Sequence, residues 1–137
     1  MGLLQRFRAR KSVGYWLVKE RMMNRLGYVS FPEAVQWIST SACDLACPHC
    51  YSHAGKKSSN ELSTEEAKRF LIDELVKLNN PTLVIAGGET LLRRDFQEII
   101  EYAYAKKVPW AIHTHGGHVE RYKELFYNCP PVMAAIS

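Results

Sequence analysis

The chain has 137 residues, a formal net charge of +4, 47% hydrophobic residues and 23% charged residues. This length and balance are typical of one globular domain with a hydrophobic core, and they exclude an intrinsically disordered chain. The first 25 residues are rich in lysine and arginine, but basic and aromatic residues do not alternate there as in surfaces that stack bases. We interpret this arm as a solvated helix face, and we predict neither nucleic acid nor a membrane as a partner.

No stretch has the apolar length of a secretory signal or of a membrane span. Three of the four cysteines are clustered, which favours metal binding in a reducing compartment over a disulfide framework. The cytoplasm is therefore the expected location. The fourth cysteine, Cys129, is expected to be an ordinary packing residue.

Periodicity predicts an amphipathic helix over residues 13–29, followed by alternating strands and helices. The predicted strands are Ala34–Thr40, Leu83–Ala86, Val108–Thr114 and Val132–Ser137. The intervening helices begin near Ser63 (with Glu66 completing a capping box), near Asp95 and near Val119. The first of them should bury an apolar face made of Ala67, Phe70, Leu71, Leu75 and Leu78.

This β-α-β-α-β-α-β order predicts parallel strands joined by right-handed crossovers. In such folds the working residues collect beyond the carboxyl ends of the strands. Three unusual segments follow strands here and should meet at one edge of the sheet. They are the cysteine loop after residue 40, Gly87-Gly88-Glu89, and Thr114-His115-Gly116.

The cysteines follow the pattern Cys43-x-x-x-Cys47-x-x-Cys50. Convergent thiolates suit either an iron–sulfur cluster or zinc. With His53 the loop also offers a Cys₃His set for a structural zinc ion. The cysteines alone leave both metals open.

The cysteine pattern together with Gly87-Gly88-Glu89 resembles the motifs of the radical S-adenosylmethionine (radical SAM) superfamily. The resemblance implies that Cys43, Cys47 and Cys50 bind a [4Fe-4S] cluster whose open iron chelates S-adenosylmethionine. It further implies that the glycines and Glu89 contact the methionyl amino group and that His49 lies near the adenine. Thr114 is expected at the cofactor, and Ser137 near its ribose. Two positions depart from the family pattern: Thr90 replaces a common proline, and His115 a common asparagine.

The implied activity is reductive cleavage of S-adenosylmethionine to a 5′-deoxyadenosyl radical, which abstracts hydrogen from a substrate. The implied fold is α/β, a partial parallel (β/α) barrel that is about half of a (β/α)₆ core. We expect an N-terminal basic helical extension over residues 1–32 and an incomplete core over residues 33–137. The expected partners are a reductant protein such as ferredoxin or flavodoxin, and a second chain that supplies the missing half-barrel in a truncated or split enzyme.

Two alternatives from other classes are a small zinc-binding interaction module without catalysis and an inactive remnant. No catalytic residue is assigned, because Asp44, Glu65 and Glu66 have no partner in the sequence that suggests acid–base chemistry. His113, His115 and His118 lie close enough along the chain for a second metal site, but histidines at strand ends and turns are more often solvated.

Overall fold

The computed structural model describes residues 32–137, and the compact unit in this part of the chain is Glu33–Ser137. The predicted helix over residues 13–29 lies outside the described residues. No helix in the described part of the chain combines the length and the apolar character needed to cross a bilayer.

Four parallel strands form one open sheet in the order β1-β2-β3-β4. The strands are β1 (Ala34–Thr40), β2 (Thr82–Gly87), β3 (Trp110–Thr114) and β4 (Met133–Ile136). Strand order follows chain order, as expected when each strand is joined to the next by a crossover helix. The predicted partial α/β barrel is therefore confirmed.

Helices connect the strands. Helix α1 has three consecutive segments: an α-helical turn over Thr64–Glu66, a π-helix over Ala67–Ile72 and an α-helix over Asp73–Lys77. A 3₁₀ turn, Thr90–Leu92, precedes helix α2, Phe96–Ala105. A second 3₁₀ turn, Val119–Tyr122, leads into helix α3, Lys123–Asn128. The third helix was predicted as one continuous element and is instead two short ones.

The hydrophobic core lies between one face of the sheet and the helices. Alternation along the strands places Leu83, Ile85 and Ile112 in this core, since successive strand residues point to opposite faces. Helix α2 contributes its predicted apolar face of Phe96, Ile99, Ile100 and Ala103, all buried. The opposite face of the sheet carries exposed residues such as Gln36, Ile38 and His113.

Helix α1 begins with the predicted capping box: Ser63 accepts from the Glu66 amide, and the Glu66 carboxylate accepts from the Ser63 amide. The predicted apolar face is wrong at Phe70, whose side chain is exposed, whereas Ile72 is fully buried. The π-helix explains the difference, because each wide turn rotates later residues relative to a 3.6-residue period.

Arg93 ties the end of β1 to the segments around it. Its guanidinium is nearly buried and donates to the carbonyls of Ser39 and Leu62 and to the carboxylate of Asp95. Helix α2 begins after Asp95 as predicted. The Asp95 carboxylate does not cap it, since this side chain is engaged by Arg93 and Thr64.

Candidate metal centre

The carboxyl ends of the strands meet as predicted, and the backbone of Gly87-Gly88-Glu89 packs directly on the start of the cysteine loop. The Gly88 amide donates to the Thr40 carbonyl at 2.8 Å, and the Glu89 amide donates to the Ala42 carbonyl at 2.7 Å. The hydrogen bonding between β1 and β2 thus continues into the loop that carries the cysteines.

This close approach explains why both positions are glycine. A Cβ on Gly88 would lie 2.2 Å from the Ala42 carbonyl oxygen, and a Cβ on Gly87 would lie 2.3 Å from that of Thr40. Gly87 also has φ of +135°, a conformation that side chains disfavour. Gly87 therefore permits close contact with the end of β1, and Gly88 permits close contact with the start of the cysteine loop.

The cysteine loop, residues 41–58, is closed at its base. The Cys43 amide donates to the Gly55 carbonyl at 2.9 Å, and the Gly55 amide donates to the Ser41 carbonyl at 2.8 Å. The carboxylate of Glu61 accepts from the Thr40 hydroxyl and the amides of Ser41 and Ser58 at 2.9–3.0 Å. Both ends of the loop are thus held on one carboxylate oxygen.

Burial disfavours the charged form of Glu61, but the amide hydrogen bonds from Ser41 and Ser58 outweigh that effect. The pKa of Glu61 is therefore lowered from its ordinary value. Sequence reasoning did not identify Glu61. The residue lies in a polar connector, and its partners at Thr40 and Ser41 are about twenty positions away.

All three loop cysteines have free thiols; Cys47 is exposed, and Cys43 and Cys50 are half-buried. A turn joins the last two, with the Cys50 amide donating to the Cys47 carbonyl at 3.1 Å. Hydrogen bonds from the Ser52 hydroxyl and nearby backbone amides lower the pKa of the Cys50 thiol, favouring the thiolate that binds metal. The Ser52 hydroxyl lies 3.4 Å from Cys50 Sγ and 3.3 Å from the Gly87 carbonyl oxygen, so its one proton is shared between the loop thiol and the end of β2.

The alternative Cys₃His zinc site is not supported by this arrangement. Within the described residues, no three ligand atoms from Cys43, Cys47, Cys50 and His53 lie within 4.8 Å of one another. A single tetrahedral zinc ion brings its ligand atoms together at short range, whereas a four-iron cluster spans its ligands more widely. The donor set of three thiols on one loop fits an iron–sulfur cluster.

Glu89 is completely buried at the junction of β2 and β3. Its carboxylate accepts from the Leu91 amide at 2.9 Å, the Thr114 hydroxyl at 2.8–2.9 Å and the His115 amide at 3.0 Å. The side chain therefore fixes the start of the β3 turn. The expected contact between Glu89 and a methionyl ammonium stays a prediction.

Asp44 has two partners that sequence reasoning missed. Its carboxylate oxygens lie 2.9 Å from His115 Nε2 and 2.8 Å from His118 Nε2. The pKa of Asp44 is lowered from its ordinary value, mainly by the hydrogen bond from His115 and next by the one from His118. The sequence signal was indirect, since the histidines are more than 70 residues away and only the convergence of strand ends brings them near.

The remaining predicted residues are distributed along the same edge. His49 is exposed on the cysteine loop, and the Ser137 amide donates to the Thr114 carbonyl at 3.2 Å beside the end of β4. His113 is exposed on the open face of β3, apart from the pair formed by His115 and His118. Cys129 is buried, and burial raises the pKa of its thiol, in keeping with its predicted packing role.

A parallel α/β sheet that presents a three-cysteine loop beside Gly-Gly-Glu at its strand ends defines the core of a radical SAM protein. The family model described as the radical SAM superfamily matches residues 37–135, which is more than half of the chain. The chain therefore belongs to the radical SAM superfamily. Members of this superfamily use a [4Fe-4S] cluster and S-adenosylmethionine.

Among curated proteins, the mycofactocin maturase MftC of Mycolicibacterium smegmatis is 42% identical over 85 residues, covering 62% of this chain and 21% of that protein. The Fe-coproporphyrin III synthase of Methanosarcina barkeri is 41% identical over 88 residues, covering 64% of this chain and 22% of that protein. The chain thus spans about a fifth of the length of these relatives.

Among solved structures, Streptococcus suis SuiB bound to S-adenosylmethionine resembles this chain with a TM-score of 0.68 at 17% sequence identity. The similarity covers 85% of this chain and 27% of that one. At this level of identity the likeness concerns the fold alone.

Proposed function

We propose that Cys43, Cys47 and Cys50 bind one [4Fe-4S] cluster and that S-adenosylmethionine binds beside it at the strand ends. The observation that carries this proposal is the loop of three free thiols, closed at its base and hydrogen-bonded to the Gly87-Gly88-Glu89 backbone. When bound, the cluster supplies an electron for cleavage of S-adenosylmethionine to a 5′-deoxyadenosyl radical, which abstracts hydrogen from a substrate.

In this proposal the residues of the chain orient and enclose the cofactors. Glu61 and Gly55 hold the base of the cysteine loop, and Ser52 favours the thiolate of Cys50. The strand ends at Gly87, Thr114 and Ser137 are proposed to line the S-adenosylmethionine site. His49 is proposed to lie near the adenine, because it precedes the last cysteine on the exposed side of the loop.

Anaerobic reconstitution with iron and sulfide tests the cluster. We expect about four irons per chain and a paramagnetic signal of the reduced cluster that changes when S-adenosylmethionine is added. Cys47→Ser should remove most of this iron, since it deletes a thiolate ligand and leaves the hydrophobic core untouched. Cys129→Ser is the matched control, because Cys129 is a buried cysteine outside the loop.

Equal iron content in Cys47→Ser and Cys129→Ser would overturn the ligand assignment. Uptake of a single zinc ion without a stable cluster would overturn the proposed function itself. Both readouts are independent of any substrate.

We further propose that a reductant protein such as ferredoxin or flavodoxin supplies the electron and that a second polypeptide completes the barrel beside β4. Three apolar residues at this edge, Val132, Met133 and Ile136, are exposed. An uncovered edge strand is a template for pairing with another strand.

Adding the later strands of a relative as a separate polypeptide should raise the rate of S-adenosylmethionine cleavage under reductant. The expected cause is that the added strands pair with β4 and enclose the strand ends. A charged variant, Met133→Glu, serves as a control because it should abolish the gain without changing the iron content. No gain with the unmodified chain would reject the two-chain barrel.

A further inference from the structure

Asp44 joins the first turn of the cysteine loop to the turn that follows β3. One oxygen of its carboxylate contacts His115 Nε2 at 2.9 Å, and the other contacts His118 Nε2 at 2.8 Å. The two imidazole rings meet edge to face with centroids 5.5 Å apart. We call Asp44, His115 and His118 the Asp44 clasp.

Backbone geometry fixes the tautomer of His115. The Gly117 amide donates to His115 Nδ1 at 3.1 Å, so this nitrogen has no proton of its own. The proton of the neutral ring is then on Nε2, which donates to Asp44 and also lies 3.2 Å from Glu89 Oε2. His115 is thus a donor already aimed at two carboxylates.

The turn is shaped around this ring. Gly116 has φ of +83°, and a Cβ on Gly117 would lie within 3.0 Å of the His115 ring. The Gly116 amide donates to the Thr114 hydroxyl, which in turn donates to Glu89. The His115 side chain is only 14% exposed, although it lies in a surface turn.

A site for a single metal ion explains the arrangement of Asp44 and His115 less well than hydrogen bonding does. Ligand atoms of Cys43, Asp44 and His115 lie within 4.8 Å of one another, as a metal site would require. However, a metal-bound Nε2 needs a lone pair, and the Gly117 amide places the proton of His115 on that nitrogen. The observed contacts therefore favour a hydrogen-bonded clasp.

We propose that His115 and His118 are positioning residues that hold Asp44, and with it Cys43, against the end of β3 before a cluster is present. The proposal rests on the proposed function, since it assigns the clasp a role in cluster uptake. The clasp keeps the part of the cysteine loop around Cys43 ordered, while Cys47 remains exposed on the same loop. A loop ordered in advance loses less conformational freedom on binding, which favours faster loading.

Hydrogen exchange in the metal-free chain tests the clasp without depending on cluster binding. The reporters are two backbone amides whose hydrogen bonds hold the chain next to Asp44. The Cys43 amide donates to the Gly55 carbonyl, and the Glu89 amide donates to the Ala42 carbonyl. His115→Ala should speed exchange at both amides by roughly three- to tenfold, the range expected when one contact of a local opening unit is lost. The amide of Ile85 in the central strand β2 should keep its rate.

His113→Ala is the matched control, because His113 is an exposed histidine of β3, two residues before His115 and outside the clasp. In an Asp44→Ala background, His115→Ala should accelerate exchange less than it does in the unmodified chain, since the hydrogen bond from His115 to Asp44 is already gone. Unchanged exchange in His115→Ala, equal acceleration at Ile85, or full additivity with Asp44→Ala would each overturn the clasp.

Reconstitution supplies the second measurement. His115→Ala should slow the initial uptake of iron and sulfide by a similar factor and leave the final iron content unchanged. An unchanged uptake rate would overturn the positioning role. Failure of the unmodified chain to load any cluster would reject the proposed function, while the exchange data would still decide the clasp.

Discussion

Replacing Gly88 with alanine is expected to destabilise the chain strongly and to prevent cluster loading. The new methyl group would lie 2.2 Å from the Ala42 carbonyl oxygen and 2.7 Å from its carbonyl carbon. Both are backbone atoms, so no side chain can rotate away to make room. Either β2 or the cysteine loop must withdraw, which breaks the Gly88–Thr40 and Glu89–Ala42 hydrogen bonds. The expected loss in the free energy of unfolding is about 3 kcal/mol, measured by urea titration.

Gly55→Ala is the matched control, because Gly55 lies in the cysteine loop that Gly88 packs against and a Cβ there meets no atom within 4 Å. It should change the unfolding free energy by less than about 0.5 kcal/mol and leave iron content intact. If Gly88→Ala were no more harmful than Gly55→Ala, the close packing of the Gly-Gly-Glu backbone on the loop would be refuted.

Glu89→Gln is expected to have the second largest effect, although it changes neither the size nor the shape of the side chain. The neighbours of the Glu89 carboxylate are all donors: the amides of Leu91 and His115, the hydroxyl of Thr114 and, at 3.2 Å, His115 Nε2. A glutamine would place its own NH₂ group against one of these donors at a site without solvent. We expect a loss of about 2–3 kcal/mol in the free energy of unfolding.

Glu101→Gln on the exposed side of α2 is the control for the loss of a charge alone. Urea titration of both variants decides the matter, and iron content after reconstitution shows whether the damage reaches the cysteine loop. Equal stability of the two variants would mean that the buried hydrogen bonds of Glu89 contribute nothing to holding β3 beside β2.

The strands and their convergence were predictable because the governing patterns are local. The run Leu83–Ala86 is fully apolar, which indicates a strand of a parallel sheet, and the Ser63–Glu66 capping box is read directly from the sequence. The expectation that this strand is buried on both faces is wrong at Val84, which is half-buried on the open face of the sheet. Parallel pairing then places every carboxyl end at one edge, so the cysteine loop, Glu89 and Thr114 had to meet.

Other features depend on geometry that the sequence does not display. The π-helix in α1 shifted the buried positions, so that Phe70 is exposed and Ile72 is in the core. The Asp44 clasp depends on side-chain contacts across more than 70 residues. The partners of Asp44, His115 and His118, are distant in the sequence and lie beside it only in the folded sheet.

The glycines illustrate a difference in interpretation. From sequence, Gly87 and Gly88 were expected to let the backbone approach a ligand. The structure shows them in contact with Thr40 and Ala42, so their first requirement is packing against the end of β1 and the start of the cysteine loop. The two interpretations are compatible, because Ser52 lies within hydrogen-bond distance of both Cys50 Sγ and the Gly87 carbonyl, which joins the thiol side of the loop to the glycines.

Closure of the cysteine loop at its base has a consequence for the thermodynamics of metal binding. Bringing the two ends of a flexible segment together costs chain entropy that grows with the logarithm of its length. Here Glu61 and the Cys43–Gly55 hydrogen bond already hold the ends together. The energy released by forming iron–sulfur bonds is therefore not consumed in closing the loop, and residues at the loop tip can vary without changing that cost.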